Sequence, residues 1–162
     1  MSDMMDTLAG LAQDSVLAAL RRQRPDVVKH LQGSDEAILS PQTDGGLTRA
    51  ERAAAALRVA TLLRDDALAT HYRACLAALD PSGTLADTVE GKARITEPRW
   101  DAILAHVDLV TRGPGSAERK DIDNLVAAGL SSHAVVSLSQ LIAYVNFQSR
   151  VLAGLRTLKG AA

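Results

Sequence analysis

The chain has 162 residues, the usual size of one domain and enough to bury a single hydrophobic core. Hydrophobic residues make up 47% of it, yet Trp100, Tyr72, Tyr144 and Phe147 are its only aromatics, so the core has to be built from Ala, Leu, Val and Ile, of which Ala and Leu favour helix. Lys plus Arg total 18 against 19 for Asp plus Glu, and this balance, with so few rings to stack bases on, argues against a nucleic-acid partner.

The N-terminus reads Met1-Ser2-Asp3-Met4-Met5-Asp6, acidic where a secretory leader is basic, and no apolar run follows it. No stretch approaches the length of a membrane span. Cys75 is the single cysteine, which excludes a disulfide framework, and the expectation is a cytoplasmic protein with no membrane partner.

In chain order, Asp14 to Gln23 carries Val16, Leu17 and Leu20 at helical spacing and ends in Arg21, Arg22 and Arg24, where positive charge complements the helix dipole. Pro25 opens a second helix to about Leu39, with Gly33 as a weak point, and Ser40 to Gly46 has turn composition throughout. Thr48-Arg49-Ala50-Glu51 has the form of a capping box, so a helix is expected from Thr48 to about Leu63 with Ala53, Leu57 and Ala60 on one face. Asp65 or Asp66 can cap the next helix, Ala67 to Leu79, which Asp80-Pro81-Ser82-Gly83 stops. Thr84 to Arg94 reads as mostly loop.

A helix from Thr96 to Val110 follows, with Ile103, Leu104 and Val107 facing inward and Trp100 filling core space, and Arg112-Gly113-Pro114-Gly115 ends it. Ser116 to Ala128 makes a short helix with Gly129 at its C-cap. The longest helix runs from Ser131 or Ser132 to about Leu158. Leu138, Leu141, Ile142, Val145 and Leu152 form its stripe, and Val136, Ala143, Phe147, Val151 and Leu155 broaden it. The expected fold is all-α: one compact bundle of about six to eight helices, its long last helix packed on the Thr48 to Leu79 pair. Residues 1–46 form N-terminal helices and a loop, and 47–158 form the core.

Leu47-Thr48-Arg49-Ala50-Glu51-Arg52, Asp121-Ile122-Asp123-Asn124-Leu125 with Ala128-Gly129-Leu130-Ser131, and the run from Leu138 to Val151 containing Asn146-Phe147-Gln148-Ser149-Arg150 resemble the carboxymuconolactone decarboxylase and alkylhydroperoxidase-D superfamily, in its peroxidase-related branch. The resemblance implies a helical bundle of that type and a link to antioxidant chemistry. Redox members of the family carry Cys-x-x-Cys-x-x-x-His at a helix start with a glutamate about three turns earlier, so that two thiols one turn apart can close a disulfide. Matching His71 to the motif histidine places the cysteines on Arg64 and Ala67, and the alternative register places them on Asp65 and Leu68. Neither register supplies a thiol. The family glutamate falls near Arg52 and Ala53, with Glu51 beside it in a different helical phase.

The candidate catalytic residues are therefore His71, Cys75 and Glu51. Cys75 follows His71 by four residues, so on a helix the two share a face, and the imidazole could draw the thiol toward thiolate. The plainer reading makes Cys75 a small buried hydrophobe. Glu51 is already accounted for by its capping box. Asn146 and Arg150, at i and i+4 on an apolar helix, could bind a ligand or satisfy nearby backbone. His30, His106 and His133 lie far apart with no metal-ligand spacing, so no metal and no cofactor are expected.

Three functions fit these residues. One is a non-redox binding or assembly member of the superfamily, working beside a paralogue that keeps its CxxC pair or on a small-molecule ligand. The second is an enzyme of decarboxylase-like chemistry with His71 as acid or base, and the third a single-cysteine peroxidase using Cys75. Loss of the dithiol pair favours the first, and dithiol peroxidase activity is not expected. A homo-oligomer is expected because the helices carry more Ala and Leu surface than one small bundle hides.

Overall fold

The computed structural model of the chain describes residues 3–93 and 97–161, and every regular element among them is helical. In chain order these are α1 (Met4–Leu8), α2 (Val16–Arg22), α3 (Pro25–Leu39), α4 (Arg49–Leu62), α5 (Asp66–Leu79), α6 (Thr84–Val89), α7 (Pro98–Arg112), a 3-10 turn at Pro114–Ser116, α8 (Arg119–Ala127) and α9 (Ser132–Ala161). The fold is all-α with a long C-terminal helix, as the composition and periodicity predict.

α4 is the centre. Its capping box forms as the sequence spells it: the Glu51 amide donates to Thr48 Oγ1 (3.2 Å) and the Thr48 amide to Glu51 Oε2 (2.7 Å). The four alanines Ala53 to Ala56, with Leu57, Val59 and Ala60, are buried on every side. Side chains this small let α3, α5, α6, α7 and α9 approach one helix together. On α9, Leu138, Leu141, Ile142, Val145 and Leu152 are each 0% exposed and lie on the side that packs on α4. Burying each such side chain contributes about 1.5–3 kcal/mol. The long helix packs on α4 directly and reaches α5 through a bond between Tyr72 and Gln148.

Several expectations need correction. The residues meant to broaden the α9 stripe do not all turn inward: Val136 is 56% and Phe147 46% exposed, and Ala143 is exposed too. The single layer of helices beside α9 covers only one side of it. Val16 and Leu20 on α2 likewise face out, and it is Ala18 that is buried. Arg21, read as a dipole-complementing charge, instead pairs with Asp3 (2.7 Å) and with Asp6. That pairing holds α1, a five-residue helix too short to leave a periodic signal, with Met5 in the core. Thr84 to Val89, read as loop, is helical because Asp80 accepts the Leu85 amide (2.8 Å) and Val89 is buried. Arg94, the end of that stretch, and Thr96, the expected start of α7, lie outside the described residues.

Candidate functional site

α5 carries the first two candidate residues, and its start is heavily braced. Asp65 is the N-cap: its Oδ1 accepts the Leu68 amide (3.2 Å), and Ser149 Oγ (3.2 Å) and Arg156 (3.0 and 3.1 Å) reach it from α9. Arg156 also donates to the Leu8 carbonyl (3.3 Å), so one carboxylate ties α5, α9 and the end of α1 together. Burial alone would lift the Asp65 carboxyl, but Arg156, the Leu68 amide and Ser149 outweigh it and hold it below the usual range. Arg64, just before it, adopts φ of 56°.

Two turns into α5, His71 and Cys75 share a face as their spacing requires, with Sγ 3.8 Å from Nε2. Both are half-buried. Burial pushes the His71 pKa down, with the negative charge of Asp35 pulling the other way. Burial raises the Cys75 thiol, and Asp35 raises it further. At neutral pH the pair is thus imidazole and thiol. No imidazolium is present to hold a thiolate, and the environment opposes the activation that the spacing suggests.

Asp35, from α3, is the group that spacing could not reveal. Its Oδ1 accepts from the Tyr144 hydroxyl (3.3 Å) and from Gln148 Nε2 (3.4 Å), and Gln148 Oε1 accepts from the Tyr72 hydroxyl. Gln148 is 0% exposed and Tyr72 1% exposed, so this relay is inside the molecule. The Tyr72 ring meets the His71 ring edge to face with centroids 5.0 Å apart. Desolvation raises Asp35 above the ordinary aspartate value, partly offset by Tyr144, and raises Tyr72 well above the ordinary tyrosine value. Asp35 also lines a cleft of about 400 Å3 with Met4, Met5, Val28 and Leu31. The relay therefore links the neighbour of His71 to a solvent-reachable cleft by hydrogen bonds, with the Gln148 amide as a fixed bridge that passes no proton itself and the Asp35 carboxyl as the group at the cleft able to hold one.

The remaining candidates stand elsewhere. Glu51 is occupied by its capping box and by Arg99, whose Nε donates to Oε1 (2.7 Å), and it shares no bonding partner with His71 or Cys75. Asn146 turns back on its own helix, donating to the Ile142 carbonyl (2.9 Å), and Arg150 donates to the Asn146 carbonyl (3.1 Å) from an exposed position. Among the described residues no cluster of three or more His, Cys, Asp or Glu could hold a metal ion. No described helix is long and apolar enough to cross a membrane. Sequence reasoning missed Asp35 and Gln148 because they meet across 113 residues. The one available signal was a glutamine at a core-facing position of α9.

No protein-family model matches this chain, and no curated protein matches it in sequence. Among solved structures, the crystal structure of an uncharacterized peroxidase-related protein from Silicibacter sp. TM1040 resembles it with a TM-score of 0.72 at 15% identity, covering 79% of this chain and 67% of that one. The chain thus shares its helical fold with that peroxidase-related protein.

Proposed function

We propose that this protein is a non-redox member of the carboxymuconolactone decarboxylase and alkylhydroperoxidase-D fold group, acting by binding and assembly. The observation that carries this reading is the start of α5. Where relatives of the redox type need an attacking thiol, one register places Asp65, whose two oxygens are committed to Arg156, Ser149 and the Leu68 amide. The other places Arg64. The only thiol, Cys75, sits where burial and Asp35 both resist ionisation. A dithiol cycle needs an attacking thiolate and a second thiol to resolve the sulfenic acid, and one chain supplies a single thiol that resists ionisation.

Assembly is supported by the apolar surface left on α9 and α3. Val136, Ala143 and Phe147 on α9 are exposed, Val27 on α3 is 55% exposed, and an open groove between the two helices runs past Leu31 and Tyr144. A second copy of the chain is the proposed occupant, with a thiol-bearing paralogue as the competing one.

A second reading is favoured by the Asp35 relay: an enzyme acting on a small molecule with His71 as acid or base. Its half-buried, neutral imidazole beside a proton-holding chain suits that role. A single-cysteine peroxidase on Cys75 is disfavoured by the raised thiol. The deciding measurement is peroxide consumption by wild type and Cys75→Ser with a dithiol reductant present. Background rates in both are expected. Robust turnover lost in the variant overturns the binding reading in favour of the peroxidase.

A further inference from the structure

α7 and α8 pack side by side and leave a cleft of about 530 Å3 between them, the size of a small-molecule site. His106 lines it at only 5% exposure, and neither its Nδ1 nor its Nε2 has a hydrogen-bond partner. An imidazole with both nitrogens unpaired is unusual, because buried polar groups are nearly always satisfied. Burial holds its pKa below the ordinary histidine value, with Asp121 pulling the other way, so the ring is neutral at pH 7 and carries one donor and one lone pair.

The rest of the lining has one sign of charge. Asp101 enters from the first turn of α7, and its carboxylate makes no hydrogen bond or ion pair among the described residues. Asp121 enters from α8 with Oδ2 on the Glu118 amide (2.8 Å), leaving Oδ1 available. The Asn124 amide also lines the cleft, Ala105 and Leu109 give it apolar wall, and no lysine or arginine lines it.

We propose that this cleft binds a small organic ammonium ion with a short apolar tail. The ammonium donates one N–H to Asp101 and one to Asp121, while the tail rests on Ala105 and Leu109. His106 turns about its Cβ–Cγ bond to accept from the bound cation at its lone-pair nitrogen, which satisfies an acceptor the fold itself leaves unmatched. The site is separate from His71 and carries no requirement for the thiol or the relay.

The test is a titration of the full chain with butylammonium into the millimolar range at pH 7.5, followed by amide and histidine side-chain nitrogen NMR, with butan-1-ol and butyrate at matched ionic strength as controls. Saturable shifts confined to residues 98–109 and 121–128, a change in the His106 ring signals, and a loss of about ten-fold in affinity in Asp101→Asn are expected for butylammonium alone. Asp101 is exposed, so that variant keeps the fold. Shifts that fail to saturate, appear equally with the alcohol or the carboxylate, or persist unchanged in Asp101→Asn overturn the proposal.

Discussion

Arg64 shows what a single residue can carry. Its amide donates to the Thr61 carbonyl (3.1 Å) and the next amide, of Asp65, reaches back to Ala60 (3.1 Å), the doubled bond pattern that ends a helix with one left-handed residue. Gly129 does the same after α8 at φ of 89°, where glycine suits the conformation, whereas Arg64 bears a Cβ there. Arg64→Gly is therefore expected to raise stability by up to about 1 kcal/mol in urea unfolding. Asp65→Asn should act in the opposite direction. It weakens the partly solvent-screened pair with Arg156 and the cap, costing about 2 kcal/mol by the same measurement. Local rules of this kind were readable: the Thr48 box and the Gly129 stop were evident in the order of residues, and the α5 cap was narrowed to Asp65 or Asp66, of which Asp65 takes the role. Asp35 was not, since nothing in the α3 sequence tells which of its acidic residues meets Tyr144 and Gln148 more than a hundred positions later.

At the scale of the element, α4 is specified by smallness. Ala54, Ala55 and Ala56 are each 0% exposed, and neighbouring helices close over them. Ala55→Leu should overpack this centre and cost about 1–3 kcal/mol, read as a lower urea midpoint with unchanged slope. The conservative Ala55→Gly also destabilises, by about 1 kcal/mol, but through helix propensity and without strain. Periodicity located α4, α5 and α9 well because a core-facing side repeats along them. It overestimated the buried width of α9, since a pattern of apolar residues does not say whether the second side meets this chain or another. Light scattering addresses that point: the wild type is expected to be larger than a monomer at micromolar concentration, and Phe147→Glu with Val136→Lys is expected to shift it toward monomer. A monomeric wild type would sink the assembly reading.

For the whole molecule, His71 and His106 set the acid limit. Both have pKa values below the ordinary 6.5, so below that pH the unfolded chain binds protons that the folded chain refuses. Stability is complete above pH 6.5 and falls as acidity increases beneath it. Asp35, raised above 3.8 chiefly by burial, contributes with the opposite sign, in a window that opens at pH 3.8. Thermal melts between pH 7.5 and 5 should show a falling midpoint, and His106→Leu, which removes one refusing group, should flatten the slope. The order of α4, α5 and α9 along the chain has a further result, for the order in which the protein comes into being. Translation delivers α4 and α5 long before α9, so the alanine centre emerges with the α9 side of its cover still unmade, and Asp65 emerges with its guanidinium partner 91 residues away in sequence. α9 completes both, so the nascent chain has to be kept from aggregating through those exposed apolar surfaces until that helix has emerged.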